Sequence, residues 1–222
     1  MDLRVASRNR KQANVKEWPT RRMSLLVLPD VGLASLAGPL EVFSRATKIM
    51  TGTRRSPAYR IELLTTGDVL PISGLSLSLV GGRHWTEAAE PIDTLLVLAN
   101  ANTAESHGEP QLDPELLAWL QRQAQRVRRI ASVCAGAFVL AAAGILDGKE
   151  ATTHWSLADT LAARYPHISV DGDRIYTKDG KVWTSAGVTA GTDHMLFKAI
   201  IGRRFDWGNR RHRDKAEKDA PP

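Results

Sequence analysis

Short apolar runs alternate with helical patterns along this chain, and this alternation constrains the fold more than any other feature. Residues 23–28 and 94–98 are almost entirely apolar, and polar or turn-forming residues follow each run. Runs of this length are typical of strands buried on both faces of a parallel sheet. The alternation therefore predicts an α/β fold, with a mostly parallel, doubly wound sheet sandwiched by helices.

The remaining elements continue the same pattern. Further strands are expected at residues 59–65, 75–79, 129–133 and 149–153, and helices at residues 36–50, 114–128, 135–143, 156–165 and 191–201. Asp179-Gly180 lies between two short apolar segments, residues 175–176 and 182–184. An Asp-Gly pair in that setting is a strong turn signal, so it predicts a small β-hairpin near the C-terminus.

The chain of 222 residues has room for one ordinary domain. Its hydrophobic content of 43% and charged content of 24% are those of a globular protein. No apolar run approaches the roughly 18–20 residues that span a bilayer, and the first residues lack a secretory signal. We therefore expect a cytoplasmic protein that does not associate with membranes.

The net charge of +6 is concentrated at the two ends of the chain. Residues 1–22 hold seven basic and two acidic groups, and residues 202–222 hold seven and four. The body between them, with 16 basic and 18 acidic groups, is slightly acidic, so the charge does not indicate DNA binding. We expect a disordered basic extension over 1–22, a folded domain over 23–201 and a disordered basic tail over 202–222.

Both ends raise questions that the residues leave open. Met23 begins the first apolar run, so it is the expected start of the protein, ahead of Met1. The stretch after Ile201 turns abruptly basic and poor in aliphatic residues, which is typical of a frameshift or early stop, although a genuine end has the same pattern.

Cys134, the single cysteine, lies where a predicted strand turns directly into a predicted helix. Such a nucleophile elbow holds its residue in a strained conformation and needs small neighbours, as Ser132 and Gly136 are. The helix N-terminus would also favour the thiolate. We therefore predict an accessible, activated thiol, the alternative being an inert core cysteine.

Five segments in order resemble the ThiJ/PfpI superfamily: residues 38–43, 131–138, 142–148, 151–155 and 184–191. The resemblance covers about residues 23–200. It implies a flavodoxin-like sandwich related to class I glutamine amidotransferases, usually dimeric, so a homodimer is expected. Within the superfamily the chain is most similar to isocyanide hydratases and to the N-terminal sensor domains of AraC-type transcription regulators.

His154 follows Cys134 by 20 residues, just after the next predicted strand. Side chains at the carboxyl ends of neighbouring parallel strands meet in one crevice, so His154 could serve the sulfur as base or orienting group. A lone histidine is as often a structural hydrogen-bonding residue. Besides Cys134 and His154, the expected ligand pocket comprises Ser35, Glu41, Ala99, Asn100, Ala135, Gly136 and Trp155, Trp155 as a core or pocket-wall aromatic.

The chain departs from the superfamily at three site positions. Ser35 stands where the resemblance implies an aspartate in the hydratases, and serine cannot act as a carboxylate acid or base. Ala135 replaces the threonine of hydratases and the histidine of PfpI-type proteases. Residues 99–102 replace a Gly-Gly loop that offers N–H groups to an oxyanion. Glu41 could be proposed as a substitute acid, but support of packing or a hydrogen bond is the preferred interpretation.

Three functions remain open. The favoured one is a non-catalytic domain that senses a small molecule, as in AraC-type regulators, here without the DNA-binding part. The second is a cysteine-dependent hydratase or hydrolase using Cys134 and His154. The third is a truncated, nonfunctional remnant. The histidines and the cysteine lack metal-ligand spacing and no phosphate-binding loop is present, so we expect no metal and no cofactor. The sequence also has no helix-turn-helix pattern, so we expect no specific DNA binding by this chain.

Overall fold

The computed structural model describes residues 19–51, 59–72, 78–100 and 112–187, and every structural statement below refers to these residues. The predicted helix over 191–201 and the basic tail lie outside the described residues, as does nearly all of the N-terminal extension.

Seven strands form the main sheet in the order β10-β11-β7-β6-β1-β2-β5. Every neighbouring pair is parallel except the antiparallel pair β10–β11. Their bounds are β1 Arg21–Val27, β2 Tyr59–Thr65, β5 Arg83–His84, β6 Thr94–Ala99, β7 Arg129–Cys134, β10 Tyr176–Asp179 and β11 Val182–Ser185. The predicted doubly wound α/β fold is confirmed. The strand order reverses direction between β1 and β6, which is where such sheets form a binding crevice.

Helices cover both faces of this sheet. They are α1 Leu33–Thr51, α2 Pro114–Arg126, α3 Gly136–Ala142 and α4 Ala158–Arg164. Neighbouring residues of β1 enter different cores, since Leu25 packs on the α1 side and Leu26 packs with Phe138 of α3 on the other. A strand buried on both faces needs apolar residues at consecutive positions, which explains the continuous apolar runs.

The predicted hairpin turns at Gly180, whose φ of 58° is in the left-handed region that glycine tolerates. The second strand of the hairpin, β11, also belongs to the main sheet. Strand β11 pairs in parallel with β7, with Thr184 beside Ser132, so the hairpin extends the main sheet by two strands. The residues just before β10 and just after β11 therefore lie at the sheet edge where Cys134 ends β7.

Several predicted boundaries differ from the structure. The predicted strand over 149–153 is shorter, since β8 Glu150–Ala151 pairs only with β9 Ser169–Val170. A 3-10 turn over Trp155–Leu157 precedes α4. Strand β4 Ser78–Val80 overlaps the predicted strand 75–79 and pairs with β3 Val69–Pro71, while residues 75–77 lie outside the described part.

Strand β1 begins two residues before Met23, so the predicted extension over 1–22 ends too late. Arg21 pairs with Tyr59 of β2, and the carbonyl oxygen of Arg22 accepts a hydrogen bond from the N–H of Asp93 at 2.9 Å. The Arg21 guanidinium also lies 4.0 Å from the Asp93 carboxylate. Backbone pairing does not depend on side-chain polarity, which is why composition alone placed the boundary wrongly.

A chain that starts at Met23 is expected to be less stable than one that starts at Pro19. The shorter chain loses the strand pairing of Arg21 and Arg22 and leaves the Asp93 N–H without its carbonyl partner. The expected loss is about 1–3 kcal/mol of unfolding free energy. Urea denaturation of the two truncated proteins measures the difference, and equal midpoints and slopes would show that β1 effectively begins at Met23.

Of the helices in the described part of the chain, none is both long enough and apolar enough to cross a membrane.

Candidate functional site

Cys134 occupies a strained turn at the end of β7, directly before α3. Its φ of 55° is left-handed, a conformation that costs a residue with a side chain about 1–2 kcal/mol relative to its usual backbone. The next turn of chain passes very close to the neighbouring strand. A Cβ on Gly136 would lie 2.4 Å from the carbonyl oxygen of Val97 in β6, so only glycine fits there.

The sulfur of Cys134 lies in a largely buried environment. The residue is 8% exposed and packs with Val31 and Leu36 on the α1 side of the sheet. Burial raises the pKa of the Cys134 thiol, and a hydrogen bond from the backbone N–H of Ala135 only partly opposes this. The predicted lowering of the thiol pKa is therefore wrong, because removing the sulfur from water outweighs the effect of a helix of seven residues.

Replacing Cys134 by glycine is expected to give a more stable protein than replacing it by alanine, by about 1 kcal/mol, because glycine adopts positive φ without strain. Ala131→Gly, in the regular part of β7, is the matched control and should destabilise by a similar amount. Chemical denaturation of the three variants measures this. An alanine variant at least as stable as the glycine variant would show that the elbow carries no strain.

Several other expected pocket residues lie beside the elbow. Ala99, the last residue of β6, is directly opposite Cys134 in the sheet register, and Asn100 follows it, half-buried. Ala135 is fully buried and places its N–H against the sulfur. Ser35 is buried in the first turn of α1, on the same side of the sheet as Cys134. Residues 101–102 of the same loop lie outside the described part.

Glu41 lies on the exposed face of α1, and its predicted place in the ligand pocket stays a prediction. Its carboxylate forms an ion pair with Arg45, one helical turn further on, at 2.5 Å. The hydrogen bond from Arg45 lowers the pKa of Glu41. Positions four residues apart share one face of a helix, and here that face is toward solvent.

His154 makes a local contact instead of a contact with the elbow. Its ring Nδ1 lies 2.8 Å from the hydroxyl of Ser156, and its ring packs beside Trp155. The segment reaches the elbow through the residue before it, since Thr153 Oγ1 donates to the carbonyl oxygen of Cys134 at 2.9 Å. The pairing of His154 with the sulfur therefore stays a prediction.

The geometry around His154 recurs elsewhere in the chain, which identifies it as a property of the local sequence. His84-Trp85-Thr86 also begins a 3-10 turn, with the His84 Nδ1 2.8 Å from the Thr86 hydroxyl. The ring centroids of His84 and Trp85 are 5.5 Å apart, and those of His154 and Trp155 are 5.6 Å apart. The same His-Trp-Ser/Thr pattern thus adopts the same geometry at two places in the described part of the chain.

The two tryptophans of these turns have opposite environments. Trp85 is 5% exposed and packs against Trp119 of α2, whereas Trp155 is 76% exposed. Trp155 is therefore not a core residue, and a place in the wall of a pocket stays a prediction.

Thr153 and three further buried threonines near the elbow were missed from the sequence. The Thr152 N–H donates to Thr184 Oγ1 at 2.7 Å, and the hydroxyls of Thr177 and Thr184 lie 2.7 Å apart. Two adjacent threonines before a histidine are also a normal end to a strand, so the local sequence carried no clear signal of this network. Among the described residues, no group of three histidine, cysteine or acidic side chains could hold a metal ion.

Sequence comparisons place residues 104–199 in the DJ-1/PfpI family. An uncharacterized protein in the cpoL 5' region of Streptomyces lividans is 39% identical over 145 residues, covering 65% of this chain and 95% of that protein. The isonitrile hydratase of Pseudomonas putida is 30% identical over 175 residues, covering 79% and 69%. The HTH-type transcriptional regulator CdhR of Pseudomonas aeruginosa is 32% identical over 179 residues, covering 77% of this chain and 47% of the regulator.

Solved structures show the same fold. A ThiJ/PfpI family protein from Pseudomonas syringae superposes with a TM-score of 0.67 at 23% identity, over 98% of this chain and 83% of that one. An AraC family transcriptional regulator from Pseudomonas putida gives 0.64 at 23% identity, over 79% and 89%. With the sheet order and the strained cysteine at the end of β7, these similarities lead to one conclusion: the chain belongs to the DJ-1/PfpI family.

Proposed function

We propose that this chain is a non-catalytic sensor domain that binds a small molecule beside Cys134, at the carboxyl end of the parallel strands. The observation that carries the proposal is the residue at position 35. Ser35 is buried in the first turn of α1, on the sheet face that also holds Cys134, and it stands where the resemblance to the hydratases implies an aspartate. A hydroxyl binds and orients a ligand, but it does not exchange protons near neutral pH.

The acidic group that follows Ser35 in α1 does not replace the missing acid. Glu41 pairs with Arg45 on the exposed side of α1, and the Arg45 hydrogen bond that lowers its pKa keeps it ionised. A carboxylate so placed accepts protons poorly and lies on the exposed face of α1. Neither position 35 nor Glu41 thus supplies the elbow with the proton donor that hydration of a carbon-centred electrophile requires.

The regulator relatives support the sensor proposal. Four such matches each cover about half of a regulator's length, between 46% and 57%. The matched part thus corresponds to one portion of a larger protein in those relatives. We propose that a homodimer of this domain binds the ligand, and that DNA recognition, as in the regulators, belongs to a part that this chain does not match.

A second candidate function is a cysteine-dependent hydratase. It is favoured by the strained backbone of Cys134, since such strain is retained where a site requires it, and by similarity to the isonitrile hydratase of Pseudomonas putida. In this case Cys134 would attack the substrate and His154 would move the proton.

The two proposals differ in whether a bound ligand is consumed. We expect the full chain to bind small electrophiles such as a short-chain isocyanide or methylglyoxal, with a rise in melting temperature. Chromatography of the same samples should recover the small molecule unchanged. Turnover at about 1 per second or faster would be ordinary enzymatic behaviour and would replace the sensor with the hydratase. No thermal shift with any member of a broad panel would contradict ligand sensing.

A further inference from the structure

The peptide group that joins Cys134 to Ala135 is held at both of its polar atoms. Its carbonyl oxygen accepts the 2.9 Å hydrogen bond from Thr153 Oγ1, and its N–H, which belongs to Ala135, is the hydrogen-bonding group that lowers the pKa of the Cys134 thiol against the effect of burial. A peptide group is planar and rigid, so fixing its carbonyl also fixes the direction of its N–H. We propose that Thr153 is a positioning residue whose hydroxyl aims the Ala135 N–H at the Cys134 sulfur.

The strained backbone at the elbow gives this contact its importance. A cysteine with a φ of 55° departs from the conformations that it prefers, so the surrounding structure must hold it in place. Thr153 is 0% exposed and Cys134 is 8% exposed, so water does not compete strongly for the carbonyl. A buried carbonyl that loses its donor is costly, and rotation of this peptide group would be its simplest response.

The segment that contains Thr153 is held in place by hydrogen bonds to the hairpin strands. The backbone N–H of its neighbour Thr152 donates to Thr184 Oγ1 in β11 at 2.7 Å, and Thr184 in turn contacts Thr177 in β10. The hydroxyl of Thr152 donates to the carbonyl oxygen of Arg174 at 3.0 Å. The hairpin strands thus anchor the segment that reaches the elbow, which keeps the Thr153 hydroxyl in a defined place.

The chemical consequence concerns the ionisation of the thiol. A directed N–H stabilises the thiolate relative to the thiol and so opposes the effect of burial. The role of Thr153 rests on the proposed function, in which Cys134 is the group that meets the ligand. No bond is made or broken by Thr153, which acts only by orienting the peptide.

The test is the pH titration of Cys134 in the full chain, followed by its ¹³Cβ chemical shift and by iodoacetamide labelling. We expect the unaltered protein to titrate above the ordinary value of about 8.5, because burial dominates. Thr153→Val should move the midpoint up by about one unit, which is about tenfold less thiolate at a given pH below the midpoint. Thr153→Ser, which keeps the hydroxyl, should titrate like the unaltered protein.

Thr65→Val is the matched control. It removes from β2 a buried hydroxyl that also donates to a backbone carbonyl, that of Arg83, and β1 and β6 separate β2 from β7. It should lower the urea midpoint as Thr153→Val does and leave the thiol titration unchanged. Thr153→Ala also removes the hydroxyl and puts no methyl group in its place. This variant is titrated instead if the valine variant does not fold.

The inference is overturned if the variants without a hydroxyl at position 153 titrate like the unaltered protein, or if Thr65→Val shifts the midpoint equally. The chemical-shift titration needs neither ligand nor reagent access to the sulfur. Failure to bind small electrophiles would therefore contradict the proposed function and leave the role of Thr153 standing. If the protein binds them but the Thr153 variants show no shift in the thiol midpoint, the role of Thr153 is contradicted and the proposed function stands.

Discussion

Gly136→Ala is expected to destabilise the protein by about 3 kcal/mol or more. The added Cβ would lie 2.4 Å from the carbonyl oxygen of Val97 and 3.1 Å from its carbonyl carbon. Val97 belongs to β6, which is paired on one side with β1 and on the other with β7. Because these contacts are with backbone in the centre of the sheet, the clash cannot be relieved by rotating a side chain, and the elbow must move.

Urea denaturation measures the loss, and Gly67→Ala is the matched control. A Cβ at Gly67 meets nothing within 4 Å, so that variant should remain within about 0.5 kcal/mol of the unaltered protein. Gly136→Ala should also change the thiol titration of Cys134, since the elbow is displaced. An unfolding free energy within 1 kcal/mol of the unaltered protein would mean that β6 and α3 separate more easily than their packing indicates.

Ser35→Asp is expected to raise hydration of a small isocyanide above the near-background rate of the unaltered chain. General acid–base groups typically contribute about 10²- to 10⁴-fold in rate, so restoring one beside a retained thiol should give a gain within that range. The residue is 5% exposed in the first turn of α1, where a carboxyl group would be partly desolvated. Desolvation raises a carboxyl pKa and so favours a group able to donate a proton near neutral pH.

Ser35→Asn is the control for this experiment, because asparagine has nearly the shape of aspartate and no exchangeable acid proton. It should stay at background, and Ser35→Asp combined with Cys134→Ala should also stay there. Product formation followed against pH should show the acid's titration in the Asp variant alone. A chain that is already fast with Ser35, or equal gains with Asp and Asn, would contradict the assigned role of this position.

Much of the fold followed from the sequence because its signals are local. Continuous apolar runs predict doubly buried strands, and β2 begins and ends at the residues expected from its pattern. The turn at Asp179-Gly180 was also predictable from its sequence, because so short a hairpin needs a residue at positive φ and glycine adopts it readily. The motifs around Cys134 likewise indicated the DJ-1/PfpI family, since they are short and continuous in sequence.

Tertiary structure decided how the residues of the site are placed relative to one another. The ionisation of Cys134 depends on the balance between burial and one N–H, and burial is a property of the whole packed core. Glu41 and Ser35 lie in the same helix, yet one faces solvent and the other the core, which their residue types do not determine. Thr153 reaches the elbow carbonyl across 19 residues of sequence, and its neighbour Thr152 is bonded to Thr184 of β11, the strand that pairs with β7.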